Sequence, residues 1–179
     1  EEPAHQLKSD EVFDLTEFFN DGILSWDVPA GDWTIIRYGM TCTGVKVSTS
    51  SDGWDGLSID HLSKDALLKF NEDVISKLIA GAQEAGNSLK FIHTDSWEMG
   101  VANWTQGFPE KFMELRGYDM TQYMPVLTNR IVGNRDISNR FLHDFRRTVS
   151  DLIADDFYKT FTGIAHQNNL YTHPESGGP

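Results

Sequence analysis

Two short stretches each end an apolar run in residues capable of acid–base chemistry. Residues 90–98 read KFIHTDSWE and residues 170–179 read LYTHPESGGP, and each places a histidine shortly before a glutamate. Two carboxyl groups flanking a glycosidic bond can cleave it, because one protonates the leaving oxygen while the other activates water or attacks the sugar carbon. Glu98 and Glu175 are therefore the predicted catalytic pair, provided that the two segments lie side by side.

The residues around this pair suit a carbohydrate pocket. Indole faces stack on the C–H surface of a sugar ring, while carboxylate and imidazole groups bind its hydroxyls. The predicted substrate-binding residues are Asp95, Trp97, Trp104, His93 and His173. Each also has a more ordinary interpretation, since a tryptophan is more often part of the core and a strand histidine more often an interior residue.

Other chemistries lack their sequence patterns. The chain has no zinc-protease histidine pair, no G-x-S-x-G nucleophile motif, and no phosphate-binding or dinucleotide glycine fingerprint. Asp52, Asp55 and Asp60 lie in a glycine-rich loop, SDGWDGLSID, but without the spacing or terminal glutamate of an EF-hand. We expect a solvated loop there, and spacing alone identifies no metal ligands.

The elements that must position these residues follow an α/β pattern. Helices are predicted over residues 63–86, 109–117, 121–127 and 138–168, and strands over residues 89–94 and 170–173. Strands alternating with helices predict a parallel sheet, in which the carboxyl ends of the strands carry the site. Near the start, residues 23–28 and 33–40 predict two strands joined by a Pro- and Gly-containing turn over residues 29–32. Residues 41–59 predict a long loop.

Composition excludes several functional classes. The net charge of −12 opposes binding to a phosphate backbone, so no nucleic-acid partner is predicted. Cys42 is the only cysteine, which excludes an internal disulfide and a cysteine-based metal site. The sequence has no apolar run of about 18 residues, hence no predicted membrane span, and no signal-peptide pattern at its start.

Several long motifs carry a family resemblance. In chain order they are GLSIDHLSKDAL, HTDSWEMGVANWT, FMELRGYDMTQYMPVL, RFLHDFRRTVSDLIADDFY and HPESGGP, preceded by DLTEFFNDGILSWDVPAGDWTIIRYG. Together they resemble the α-L-rhamnosidases of glycoside hydrolase family 106. The resemblance implies a calcium-dependent, inverting enzyme that releases terminal L-rhamnose from plant polysaccharides in the bacterial periplasm or outside the cell. It implies Glu98 as general acid and Glu175 as either the partner carboxylate or a ligand to sugar or calcium.

The resemblance also implies a domain organisation. The fold class is α/β, part of a (β/α)8 TIM-type barrel preceded by a short β-hairpin or β-sandwich-like segment. Residues 1–32 are the predicted β-rich lead-in, and residues 33–179 the N-terminal part of an incomplete catalytic domain. A closed barrel needs roughly 250 residues, so the remainder of the parent polypeptide is an expected partner. It could also supply the catalytic base beyond residue 179.

Two other interpretations stay open on the sequence. A non-catalytic carbohydrate-binding module would use Trp97, Trp104 and the acidic loops to hold sugar without cleaving it. A different barrel glycosidase, such as a β-galactosidase relative, would share the carboxyl pair while selecting another sugar. Rhamnose rests on the resemblance alone, because neither spacing nor charge selects it.

Overall fold

The computed structural model describes residues 6–47, 53, 55–86, 88–97 and 100–175. The chain forms two compact units. The first contains residues 1–39 and 107–148, and the second contains residues 40–106 and 149–179. The predicted division into a lead-in over residues 1–32 and a catalytic part over residues 33–179 stays a prediction.

A small hairpin lies in the lead-in of the first unit. β2 (Phe19–Asn20) pairs antiparallel with β3 (Ile23–Leu24). Both connecting residues, Asp21 and Gly22, have positive φ angles of 49° and 82°. Asp-Gly is the dipeptide that a two-residue hairpin turn of this type favours, because both positions need a left-handed backbone. The hairpin therefore turns earlier than the predicted connection at residues 29–32.

The strand predicted over residues 33–40 is absent from the structure, so that prediction is wrong for this chain. Its β-branched residues favour extended backbone, but a strand also needs a neighbour to accept its ladder hydrogen bonds. No described segment pairs with residues 33–40. Ile35 and Met40 remain 60% and 62% exposed, so part of this apolar stretch is left without a core to pack against.

The helical part of the first unit has an aromatic core. α3 (Phe108–Arg116) has Pro109 in its first turn and ends at Gly117, whose φ is 81°. A 3₁₀ helix (Thr121–Thr128), β5 (Ile131–Val132) and α4 (Arg135–Leu152) follow. The core residues of this unit include Phe108, Phe112, Met120, Val132, Phe141 and Phe145. β1 (Gln6–Leu7) runs parallel to β5.

Thr148 and Asp144 on α4 anchor the turn after α3. The buried Thr148 hydroxyl accepts a hydrogen bond from Arg116 Nε at 3.0 Å. Tyr118 donates its hydroxyl to Asp144 Oδ2 at 3.0 Å. Burial, followed by the Asp144 contact, raises the pKa of Tyr118. These polar contacts at the edge of an apolar core specify how the turn after α3 docks on α4.

A long helical segment opens the second unit. α1 (Lys64–Phe70) begins at Ser63, whose side chain accepts the Ala66 N–H, as the sequence predicts for an N-cap. A π-helical turn (Asn71–Ile75) leads directly into α2 (Ser76–Glu84). After the end of α4, a second π-helical stretch (Ile153–Lys159) leads into α5 (Thr160–Gln167). The helices predicted over residues 63–86 and 138–168 are therefore confirmed, with π turns that periodicity does not indicate.

β4 (Phe91–Thr94) and β6 (Tyr171–Pro174) form a parallel pair in the second unit. Ile92 of β4 packs against two groups of buried residues. One consists of Leu67, Phe157, Phe161 and Ile164, and the other of Ile79, Ala165 and Leu170. Burying a side chain such as Leu67 stabilises the fold by about 1.5–3 kcal/mol. This core fixes the strand whose end carries the predicted site.

The α/β alternation predicted from the sequence is present in the described residues. Their strands form three two-stranded sheets, two parallel and one antiparallel. The (β/α)8 barrel itself remains an expectation for the parent polypeptide. Among the described helices, none combines the length and the apolar content needed to cross a bilayer.

Candidate active site

The β4–β6 pair brings the two chemistry-bearing stretches together. His93 aligns with His173, and Thr94 aligns with Pro174. The ladder continues past the strands, since the Glu175 N–H donates to the Thr94 carbonyl at 2.9 Å. Because parallel strands place their carboxyl ends at one edge, the residues that follow them converge there. This backbone bond places Glu175 beside Asp95.

Three side chains meet at this edge. One ligand atom each from His93, Asp95 and Glu175 lies within 4.8 Å of the others, and all three residues are exposed. Asp95 accepts the Ser96 N–H at 2.8 Å, and its carboxylate lies beside that of Glu175. The arrangement can bind sugar hydroxyls, a proton or a cation.

The electrostatics of Asp95 follow from these contacts. The backbone N–H of Ser96 lowers the pKa of Asp95, and the hydrogen bond with Glu175 and the charge of His93 lower it further. Hydrogen bonds to an ionised carboxylate stabilise it relative to the neutral acid. These contacts therefore favour the ionised form of Asp95.

The two strand histidines contact each other across the pair. His93 Nδ1 lies 2.6 Å from the His173 carbonyl oxygen and 3.1 Å from His173 Nδ1. A carbonyl oxygen only accepts, so His93 Nδ1 carries a proton and donates it. This bond fixes the His93 ring and leaves Nε2 as its unprotonated nitrogen when the ring is neutral. Both histidines are exposed at the site edge rather than buried in the core.

Trp97 continues the loop that leaves β4. It is half-buried, and its Nε1–H donates to the Gly100 carbonyl at 3.3 Å. The edge of its ring system meets the His61 ring at a centroid distance of 5.3 Å and an angle of 71°. Trp104 is half-buried further along the same loop, and its assignment to the substrate site stays a prediction.

Asp60 and Thr105 join two segments near this loop. Thr105 is buried and donates its hydroxyl to Asp60 Oδ2 at 2.6 Å, while Asp60 Oδ1 accepts the Leu62 N–H at 2.9 Å. Asp55 forms a surface ion pair with Lys46 at 3.4 Å. Both described aspartates of the SDGWDGLSID loop thus have protein partners, and the expectation of a solvated loop stays a prediction.

Two predicted residues fall outside the described part of the chain. Glu98, the predicted acid, and Asp52 are not among the described residues. The distance between the carboxyl groups of Glu98 and Glu175 therefore stays a prediction, and Glu175 is the described member of that pair.

Sequence reasoning missed His61 and Thr105. A signal for Asp60 exists in retrospect, because an aspartate in a turn commonly accepts the backbone N–H two residues further on, here that of Leu62. The pairing of Asp60 with Thr105 has no local signal, since the two residues are distant in the sequence.

An open depression in the first unit is lined by Phe18, Ser25, Trp26 and Asp27. None of the predicted site residues lines it. Asp27 is the one carboxylate in this lining, so the depression lacks the second carboxyl group that glycoside hydrolysis requires. The strand-end group around Asp95 is the stronger candidate site.

A family comparison identifies the family of the chain. The model of glycoside hydrolase family 106, described as alpha-L-rhamnosidase, matches residues 1–179. The chain is a member of glycoside hydrolase family 106. The resemblance read from the motifs is thereby confirmed.

Relatives of this family 106 chain carry two different names. A protein of Formosa agariphila (strain DSM 15362 / KCTC 12365 / LMG 23005 / KMM 3901 / M-2Alg 35-1), named "Putative beta-glucuronidase", is 39% identical over 166 residues. The alignment covers 92% of this chain and 14% of that protein. The solved structure of a rhamnosidase from Novosphingobium sp. PP1Y is 31% identical, with a TM-score of 0.80 over 94% of this chain and 17% of that one. The family 106 chain thus spans about one-sixth of the length of these relatives.

Proposed function

We propose that this chain contributes one wall of the active site of an α-L-rhamnosidase, which hydrolyses a terminal rhamnosidic bond by acid–base catalysis with inversion. The observation that supports the proposal is the meeting of Asp95 and Glu175 at the carboxyl ends of β4 and β6. Family membership supplies the reaction class.

Glu98 and Glu175 are the proposed catalytic pair, and Asp95 is the residue that orients Glu175. An inverting pair stands about 6.5–9.5 Å apart to leave room for water. Ligand atoms of Asp95 and Glu175 lie within 4.8 Å of each other, which is too close for that geometry. Asp95 therefore fixes the Glu175 carboxyl group, while Glu98 takes the part of general acid that the resemblance implies.

The remaining residues of this wall suit a polar sugar. His93, whose Nδ1–H is occupied by the His173 carbonyl, offers Nε2 to a hydroxyl group. Trp97 offers an indole surface on the loop that carries Asp95. An apolar face beside charged acceptors complements a sugar ring, which is apolar on its C–H faces and polar at its edges.

The resemblance leaves open a second role for Glu175, as a calcium ligand beside Asp95 in place of the partner carboxylate. Ca²⁺ takes six to eight oxygen ligands, and the carboxylates of Asp95 and Glu175 are suitable oxygen donors that already lie together. The imidazole of His93 is a nitrogen donor and does not fit this preference. Bound there, calcium would supply positive charge next to the sugar hydroxyls, while Asp95 and Glu175 would hold it and His93 would contact the sugar.

The remainder of the parent polypeptide completes the proposed site. Parallel strands are normally covered on both faces, yet Phe91 of β4 and Tyr171 of β6 are 52% and 74% exposed. The relatives are several times longer than this chain. Further strands and helices of a barrel would cover these side chains, and the enzyme would act outside the cytoplasm on rhamnose-containing oligo- or polysaccharides.

A substrate panel on the full parent polypeptide tests the proposal. Aryl α-L-rhamnoside, β-D-glucuronide and β-D-galactoside are compared, with NMR following the first-formed sugar anomer. We expect turnover of the rhamnoside alone, with rhamnose released in the inverted configuration. The name of the Formosa relative makes glucuronide the relevant competitor. Turnover of the glucuronide instead would overturn the sugar assignment, and binding of rhamnosides without cleavage of any substrate would favour a carbohydrate-binding module.

A further inference from the structure

His61 lies between two aromatic rings of the second unit. On one side its ring is 4.3 Å from that of Phe157, at an angle of 43°. On the other side it meets the edge of Trp97 at 5.3 Å and 71°. Phe157 is 6% exposed and belongs to the π-helical stretch Ile153–Lys159, so it is a fixed support. The row Phe157–His61–Trp97 connects this buried support to the loop after β4.

The His61 ring is also fixed by hydrogen bonds. Its Nδ1 lies 2.9 Å from the Ile59 carbonyl oxygen, and it must donate because a carbonyl only accepts. The neighbouring Asp60 is held by the Leu62 N–H and the buried Thr105 hydroxyl. Ring contacts on two sides and a hydrogen bond in its plane leave His61 little rotational freedom.

Trp97 depends on that fixed ring. Its own hydrogen bond to the Gly100 carbonyl, at 3.3 Å, holds only the nitrogen edge of the indole. The edge contact with His61 fixes the tilt of the ring plane, and edge-to-face pairs favour one geometry over others. Asp95 and Ser96 immediately precede Trp97, so the same contact restrains the segment that carries the site carboxylate.

We propose that His61 is a positioning residue, which holds the Trp97 indole in the orientation that stacks on the substrate sugar. This inference rests on the proposed function, because it takes the sugar as the partner of Trp97. It assigns to His61 no contact with the reacting atoms. Its effect is therefore on substrate binding through Trp97.

Two variants of His61 test its ring contacts and its hydrogen bond to the Ile59 carbonyl separately. His61→Phe keeps an aromatic ring between Phe157 and Trp97 but cannot donate to the Ile59 carbonyl. His61→Asn keeps a donor near the position of Nδ1 but removes the ring. His166 is an exposed histidine on α5, so His166→Phe and His166→Asn provide the same chemical changes as controls.

Kinetics of the full parent polypeptide on an aryl α-L-rhamnoside are the first measurement. His61→Asn should raise KM about 3- to 10-fold with kcat within about 2-fold, the range expected for one aromatic pair. His61→Phe should remain within about 2-fold in both constants. In a Trp97→Ala background, His61→Asn should cause no further change in KM, because the two side chains act through one contact. A larger defect in His61→Phe, or additive effects with Trp97→Ala, would overturn the proposal.

Near-ultraviolet circular dichroism provides a measurement that does not depend on activity. The contribution of Trp97 is obtained by subtracting the near-ultraviolet spectrum of Trp97→Phe from that of the wild type. In the His61→Asn background this difference should shrink by at least half, and in His61→Phe it should persist. An unchanged difference in His61→Asn refutes the positioning role even if the rhamnoside is hydrolysed. If no rhamnoside is hydrolysed but the signal shrinks as expected, the proposed substrate fails and the positioning of Trp97 stands.

Discussion

Asp95 and Glu175 are distant in the sequence, and the parallel pairing of β4 with β6 places their carboxyl groups within 4.8 Å of each other. The contact is extended by the backbone bond from Glu175 N–H to the Thr94 carbonyl. Both residues are exposed, so the interaction contributes little to stability. Its consequence is geometric, because it fixes the direction of the Glu175 carboxyl group.

Replacing Asp95 with asparagine should impair the enzyme without unfolding it. The asparagine side chain is similar in size to that of aspartate, but it replaces the carboxylate beside Glu175 with a neutral amide. We expect kcat/KM on an aryl α-L-rhamnoside to fall about 10- to 100-fold, with the thermal midpoint unchanged within about 2 °C. Asp55→Asn removes another exposed aspartate, one that pairs with Lys46, and should have no effect. Wild-type kinetics in Asp95→Asn would exclude this orienting role.

Calcium binding should depend on the same two carboxylates. Isothermal titration with Ca²⁺ alone should show one site in wild type that weakens at least about 10-fold in Asp95→Asn and in Glu175→Gln, because each change removes an anionic oxygen ligand. His93→Gln should change the affinity much less, since a nitrogen ligand is not preferred. Equal binding by all four proteins would place any calcium elsewhere in the polypeptide.

The Asp60–Thr105 contact should matter for stability. Thr105→Val removes a buried hydroxyl that donates to a carboxylate at 2.6 Å. A hydrogen bond to a charged group contributes about 1.5–3 kcal/mol, so urea unfolding should show a loss of that size. Thr172→Val makes the same replacement at half-buried Thr172 of β6, where no described partner bonds the hydroxyl, and should change stability by less than about 1 kcal/mol. A similar loss in both variants would mean that removing a hydroxyl, and not breaking the bond to Asp60, accounts for the change.

The burial of His61 should be visible in the pH dependence of stability. Burial lowers the pKa of His61 below its usual value of 6.5, and this outweighs the opposing effects of the Ile59 carbonyl and Asp60. The unfolded chain therefore binds a proton more readily, so this contribution to stability is present above pH 6.5 and is lost as the pH falls.

Urea unfolding at pH 8 and pH 5 tests the direction of this pH dependence. The decrease in unfolding free energy between the two pH values should be smaller for His61→Phe than for wild type. His166→Phe should show the wild-type decrease, because His166 is exposed. An equal decrease in His61→Phe and wild type would show that His61 does not take up its proton on unfolding.

Local sequence pattern predicts the main helices and the two site strands. The helix at Ser63, α3 with Pro109 and Gly117, and the long α4-containing segment follow from apolar spacing and capping residues. β4 and β6 follow from short apolar runs that end in polar residues. Their pairing, which the site needs, was a hypothesis from α/β topology, and the structure confirms it.

Other features depend on contacts that no local pattern contains. Residues 33–40 have strand composition but no described partner, so propensity alone predicted a strand that is absent. The turn at Asp21-Gly22 overrode the more conspicuous Pro-Gly connection, because positive φ at both positions decides hairpin geometry. His61 was missed for a similar reason, since its contacts with Trp97 and Phe157 join three distant segments.

Turnover by Glu175→Gln tests the central claim most directly, because that glutamine retains the shape of the side chain and removes its acid–base function. Measured in the full parent polypeptide on an aryl α-L-rhamnoside, beside Glu98→Gln and the Asp55→Asn control, kcat should fall about 10²- to 10⁴-fold in both glutamine variants. Substrate binding should persist. A kcat for Glu175→Gln within about threefold of wild type would contradict the assignment of Glu175 to the catalytic pair.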